Sequence, residues 1–201
     1  EEDIQKEKSV IGEEIDMYND SPEDLVHEML QNKVWENHPL GFLISGNKET
    51  VNQFSKSEIM DFMERFYHAE NIVISLAGGM NTDKVLKLLE ENFGGIKSGS
   101  KYEDMDPPQY HRSFYVQVKD IEQIHMNIAF DCIDYNSEDK YVLAIVNSIL
   151  GGSENSKLFQ VIREELGLTY SIYSYGSSHE NTGLFHIDAI LNPAKLFQVF
   201  H

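Results

Sequence analysis

Two carboxylates stand out by where they fall. On a helix turning by about 100° per residue, Ile4, Val10, Ile11, Ile15, Met17 and Tyr18 share one broad arc, with Glu7 and Glu14 near its centre. The two glutamates are two turns apart and stack on one face, while Glu13 and Asp16 lie on the opposite, solvated side. A carboxylate in an apolar stripe is costly to bury unless it is paired or binds a metal. Two chemistries follow. In one, the helix stays partly exposed or each Glu meets a Lys or Arg from elsewhere. In the other, one Glu is a metal ligand and its neighbour supports it: zinc accepts carboxylate oxygen, and a catalytic site uses three protein ligands and a water, with outer carboxylates orienting the ligands. One Glu does not complete such a site, so that reading draws the other ligands from outside the chain.

The remaining reactive side chains give weaker signals. Read alone, Arg163 is a surface helix residue and Tyr170 a strand residue half in the core. His125 alternates with Ile124 and Met126 and is expected to face solvent from a strand, and His68, His111 and His186 show no ligand spacing. Tyr173 and Tyr175 are expected to line one sheet face. Cys132, the single cysteine, reads as a small core hydrophobe and excludes both an internal disulfide and a cysteine-based zinc site. Gly78-Gly79 and Gly151-Gly152 lack the flanking pattern of a phosphate loop and read as turns.

The elements that must carry these residues are legible in outline. A helix runs from about Ile4 to Tyr18 and breaks at Asn19-Asp20; Ser21-Pro22 restarts another, with Ser as N-cap and Pro in the first turn. Ser55 and Glu58 form a capping box before Ile59, Phe62, Met63 and Phe66. Ile72–Ala77 reads as a short buried strand, and Val85, Leu88, Leu89 and Phe93 as a helix closed by Gly94-Gly95. Alternation predicts strands over Phe114–Val118 and Ile124–Phe130, then helices over Val142–Leu150 and Ser156–Leu166, strands over Tyr170–Tyr175 and Leu184–Ile190, and a last helix opening at Asn192-Pro193. The fold class is therefore α+β. Between Lys97 and Arg112 the apolar pattern stops and Pro107-Pro108 marks an extended linker.

The 201 residues carry 34 acidic against 16 basic side chains, a formal charge of −18. This argues against binding nucleic acid or an anionic membrane, because phosphates need Lys and Arg. No apolar run is long enough to span a bilayer. The chain opens on Glu1 and stops at His201 within apolar patterns, so both ends are expected to be cuts.

Several phrases, in order, resemble one family. Glu7-Lys8-Ser9-Val10-Ile11-Gly12-Glu13-Glu14-Ile15 with Tyr18-Asn19-Asp20-Ser21-Pro22 is similar to the glutamate helix of the pitrilysin/insulinase zinc metallopeptidases. His38-Pro39-Leu40-Gly41, Gly46, Phe66-Tyr67 and Asn71-Ile72-Val73 fit the stretch that follows. Gly151-Gly152, Ser156-Lys157-Leu158-Phe159, Arg163-Glu164 and Gly167-Leu168-Thr169-Tyr170-Ser171 resemble the second-domain signature. The resemblance covers nearly the whole chain. It implies that Glu14 is a zinc ligand and Glu7 its supporting carboxylate, that Arg163 and Tyr170 reach into the active site to hold substrate, and that Phe159 lines a side-chain pocket. Arg would clamp a carbonyl or carboxylate, and the Tyr hydroxyl would assist the oxyanion.

One departure matters. The family's inverted motif, His-x-x-Glu-His, supplies two ligands and the general base, and it is absent: His27-Glu28 and His179-Glu180 are the His-Glu pairs, and neither continues correctly. The motif is expected upstream of Glu1. The resemblance implies mixed sheets with helices packed on one face, in parts of two similar domains: residues 1–96, the later part of a domain with the ligand glutamate; a linker over 97–113; and 114–201, the earlier part of a substrate-holding domain. The implied parent is a zinc endopeptidase of peptides or unfolded, presequence-like segments in the bacterial cytoplasm, working with the rest of its polypeptide or a homologous subunit, as a homodimer or heterodimer. The competing implication is a non-catalytic partner or scaffold subunit. These 201 residues alone are expected to be inactive.

Overall fold

A computed structural model describes residues 1–100 and 105–200. The chain separates into two compact units that interleave along the sequence: Glu1–Ser9 with Lys48–Met105, and Val10–Asn47 with Asp106–His201.

The first unit is helical. It holds the start of α1 (Glu2–Asp20), then α3 (Lys48–Gln53), α4 (Lys56–Phe66) and α5 (Thr82–Phe93). The capping box forms as expected: the Ser55 amide donates to Glu58 Oε2 at 2.7 Å, and the Glu58 amide donates to Ser55 Oγ at 3.3 Å. The Ser55 hydroxyl, which donates to Glu58 Oε2 at 2.7 Å, and then the Ser55 amide hold the Glu58 carboxyl below its ordinary range. Asn81 caps α5 by accepting from the Lys84 amide. Ile72–Ala77 does not form the expected strand. A strand is stabilised through a ladder to a neighbour, no described segment pairs with this one, and Val73 is 92% exposed.

The second unit is built on a three-stranded antiparallel sheet in the order β1 (Ile124–Cys132), β3 (Gly183–Leu191), β2 (Thr169–Ser178). Where a mixed sheet was expected, both described ladders are antiparallel. Phe114–Val118 is not a strand; it joins no ladder, and Phe114 and Val118 are each 92% exposed.

Helices lie on both faces of this sheet rather than one. On the first face sits α2 (Pro22–Val34), started by Ser21 accepting from the Asp24 amide. Its end drives Val34 and the fully buried Trp35 against Leu184, with Leu30, Leu40, Tyr110 and Ala129 around them. Gly41 is needed at this corner, because a Cβ there would lie 2.3 Å from the Trp35 carbonyl oxygen. On the opposite face, Ile172, Ala189 and Leu191 pack with Ile124, Met126, Ile187, Leu158 and Ile162. Helix α6 (Lys140–Leu150) covers the same face, where Ser174 Oγ donates to Asn147 Oδ1 at 2.7 Å. The last helix expected at Asn192-Pro193 forms as a 3-10 turn at Pro193–Lys195 followed by α7 (Leu196–Val199).

Removing a side chain from the Trp35 cluster should be costly, since a cavity against a rigid sheet collapses poorly. Leu184→Ala is expected to destabilise the second unit by about 2–5 kcal/mol. Trp35 is the chain's single tryptophan, so urea denaturation followed by its fluorescence reads this cluster directly; an unchanged midpoint would contradict the packing.

Candidate functional site

The ligand-candidate helix forms as a single α-helix, α1, and its apolar arc is only half covered. Ile15 is buried and Ile4 and Ile11 are half-buried, whereas Val10, Met17 and Tyr18 are 44%, 63% and 38% exposed. Glu7 and Glu14 lie on the exposed side of the arc, each with its carboxylate open to solvent. The desolvation cost that made them conspicuous on the wheel is therefore not incurred. The fit to zinc is incomplete: among the described residues, no three His, Cys, Asp or Glu side chains are placed to hold a metal ion. Glu14 can supply one carboxylate oxygen, and the other described residues do not make up the rest of a zinc centre.

Arg163 and Tyr170 sit on two backbone irregularities of the second unit. The segment Phe159–Glu165 is a π-helix, closed by the Leu166 amide donating to the Val161 carbonyl at 3.0 Å. Such turns are rare and recur at functional sites. The wider winding places the Arg163 guanidinium 4.5 Å from the centre of the Phe159 ring, a cation–π contact between two of the residues singled out in the sequence. Gly167 follows at φ +58, a left-handed conformation that favours glycine, and redirects the chain into β2. There the register slips: Thr169 pairs with Leu191 and Ser171 with Ile190. Tyr170 is the extra residue of this bulge, and 72% of it is exposed. A bulge re-aims a side chain, so Tyr170 points out where a regular strand would have left it half in the core.

The sequence reading missed a polar network on the α2 face of the sheet. Because β3 side chains alternate, Leu184, His186 and Asp188 share this face, opposite Asn127 of β1 and Tyr173 and Tyr175 of β2. His27 of α2 reaches down among them. Its Nε2 lies 3.2 Å from Asp188 Oδ1. Its Nδ1 accepts from Asn127 Nδ2 at 2.9 Å and from Tyr175 Oη at 3.0 Å. Asn127 is the hub: Nδ2 also donates to Asp188 at 3.1 Å, and Oδ1 accepts from His186 Nδ1 at 3.2 Å. Ser177 Oγ donates to His186 Nε2 at 2.9 Å, and the His186 ring stacks on Tyr175 at 4.6 Å. With His27 carrying its proton on Nε2 and His186 on Nδ1, each contact has a donor and an acceptor, the one lone pair of His27 Nδ1 being shared between Asn127 and Tyr175.

Burial sets the electrostatics. It raises the Asp188 carboxyl to about 6 and lowers His186 to about 4. It also drives the Tyr175 hydroxyl up, reinforced by the nearby Asp188 charge. Ser177, His186 and Asn127 line up as a nucleophile, base and orienter would. An imidazole held so far below neutrality is, however, a weak base. His186, set aside in the sequence for want of ligand spacing, is buried with Asp188 in an otherwise apolar strand; that His-x-Asp pair was the available signal. His125 is half-buried with an unbonded Nδ1 rather than facing solvent, and Cys132 is half-buried at the end of β1.

The unit is of α+β class, with an Arg-bearing π-helix feeding a Tyr-bearing bulge. A family model described as the peptidase M16 inactive domain matches residues 53–201, and the chain belongs to that family, the pitrilysin/insulinase type. It is 38% identical to an uncharacterized zinc protease, YmxG, of Bacillus subtilis over 93% of this chain and 46% of that protein. Among solved structures, a peptidase M16 inactive domain from Pseudomonas fluorescens superposes with a TM-score of 0.83, at 20% identity, covering 98% of this chain and 50% of that one. A chain of complex III from Candida albicans superposes with a TM-score of 0.82, at 20% identity, covering 93% and 46%. The chain thus spans about half the length of the curated relatives it matches.

The left-handed joint at Gly167 is testable. Gly167→Ala should cost about 1–2 kcal/mol, the penalty of placing a Cβ in that conformation, although no atom lies within 4 Å to clash with it. Thermal unfolding measures it; an unchanged Tm would mean the joint relaxes freely.

Proposed function

We propose that this chain is half of a zinc-dependent endopeptidase of the M16 family, cleaving peptides or unfolded, presequence-like segments. The observation that carries the reading is the pairing of a π-helix that holds Arg163 against Phe159 with a bulge that turns Tyr170 outward. These two departures from regular backbone fall on the residues that the family resemblance assigns to substrate.

In this reading Arg163 binds a substrate carbonyl or carboxylate through its planar fork of donors. Phe159 holds that guanidinium in place and lines a side-chain pocket. Tyr170 donates its hydroxyl to the oxygen on which negative charge develops. Glu14 would contribute one ligand to a zinc ion and Glu7 would support it, the remaining ligands being supplied from outside these residues. The bound metal would polarise the scissile carbonyl and acidify a water. The working protein is expected in the bacterial cytoplasm, assembled with the rest of its polypeptide or with a homologous subunit as a homodimer or heterodimer. The extents 1–96, 97–113 and 114–201 are proposed as one domain's later part, a linker and the next domain's earlier part. A second reading, a non-catalytic partner, is favoured by the description of the matched family as an inactive domain.

Metal content and hydrolysis separate the readings. The 201 residues alone should retain no stoichiometric zinc after dialysis and cleave no peptide; chelator-sensitive cleavage by them would overturn the assignment of ligands elsewhere. In the full-length protein, Glu14→Gln should abolish zinc retention, and Glu7→Gln should weaken it about 10–100-fold. Tyr170→Phe should keep the metal and lower kcat by on the order of 10²-fold. A zinc-loaded full-length protein that hydrolyses no peptide in a diverse library would favour the partner reading.

A further inference from the structure

Helix α2 meets the sheet through two kinds of contact. At its end the contact is apolar, through Val34 and Trp35. About two turns earlier it is polar and specific, because His27 enters a pocket whose walls come from all three strands. Asp188 is 7% exposed and His27 29% exposed at the side chain, so the pair is largely shielded from screening by water. Ser21 joins α2 to α1, its amide donating to the carbonyls of Met17 and Tyr18 at 3.2 Å. The α1 residues from Val10 onward, Glu14 among them, belong to the same compact unit as Arg163 and Tyr170.

We propose that His27 and Asp188, joined through Asn127 and Tyr175, are positioning residues that latch α2 in one register on the sheet, and thereby fix the Glu14-bearing part of α1 relative to the strand that carries Tyr170. An apolar contact is tolerant of sliding, whereas a helix anchored by a histidine with three directed partners has one seat. The catalytic consequence rests on the peptidase reading; the latch itself does not.

The chemistry of the latch gives it a signature. The groups facing Asp188 are Glu23 and His27 from α2, His125 and Asn127 from β1, Tyr173 and Tyr175 from β2, and His186 beside it on β3. Lifting α2 would wet the pocket and return Asp188 and His186 towards their ordinary values. Asp188 has its pKa raised in the closed state, so its contribution to closure is present in acid and lost as pH rises through about 6. His186 has its pKa lowered to about 4, so its contribution is present above its ordinary value of 6.5 and lost as pH falls. The two act in opposite directions over the same window, so each partly masks the other in the native latch. Deleting either one exposes the other.

Hydrogen exchange of the α2 amides, measured on the full chain and corrected for the intrinsic pH dependence, reads the latch directly. His27→Asn should speed exchange of α2 about tenfold or more at both pH values, as loss of a directed buried bond implies. Tyr175→Phe, which keeps the ring stacked on His186, should give a smaller increase. Asp188→Asn should make protection fall as pH is lowered from 7 to 5, and His186→Gln should make it rise. Unchanged α2 exchange in both His27→Asn and Tyr175→Phe, or pH responses of the opposite sign in the last two variants, would overturn the latch. In the full-length protein, His27→Asn should lower kcat more than it raises KM while zinc content stays constant. Peptidase activity unaltered by a variant whose α2 exchanges faster would overturn the positioning role. Absence of activity in the unaltered protein would instead count against the peptidase reading, with exchange still judging the latch.

Discussion

Strand β3 is hydrogen-bonded along both edges and covered on both faces, and most of what the second unit does follows from that confinement. On such a strand His186 and Asp188 are 3% and 5% exposed, so they draw their partners chiefly from the protein. Their demand pulls Asn127 from one edge strand, Tyr175 and Ser177 from the other, and His27 from the helix above. The polar network is therefore not an addition to a finished core. It determines which side chains the neighbouring elements must present, and it gives the α2 face a specificity that the apolar cluster around Leu184 lacks.

The opposite face obeys a different rule. It is apolar and close-packed, and the elements on it are bent to fit. Ser174 approaches α6 closely enough to bond Asn147, and a Cβ at Gly176 would press on Leu143 at 3.2 Å. The chain then reaches β2 through a π-helix, a left-handed glycine and a bulge in quick succession. Each is a local departure from the cheapest backbone, held in place by the packing of Leu158 and Ile162 on the sheet. Their combined effect is to hold the half-buried Arg163 against Phe159 and to turn Tyr170 outward beside them.

The resemblance to the M16 family was legible because its phrases are short, ordered and carried by residues with fixed local roles. Helix starts were equally legible: Ser21-Pro22 and the Ser55–Glu58 box act within one turn, and the structure realises both. Strands over Ile72–Ala77 and Phe114–Val118 were not decided by alternation, because a strand depends on a neighbour that its own residues do not specify. The Glu7–Glu14 stripe shows the same limit in reverse. The wheel identified the arc correctly, and only the packing established that half of it, with both carboxylates, faces water.

By itself, the sequence determined the α+β class and the capped helices, which rest on local spacing and chemical type, and the family, whose resemblance in turn marked Glu14, Arg163 and Tyr170 as residues to follow. Tertiary structure decided the rest: which strands pair, that helices cover both sheet faces, that Tyr170 occupies a bulge, and that His27 meets Asp188 across 161 positions of sequence. The physical reason is separation along the chain. Caps, turns and periodicity act over a few residues, whereas the burial that shifts Asp188 and His186 in opposite directions exists only once segments far apart in sequence have excluded water together.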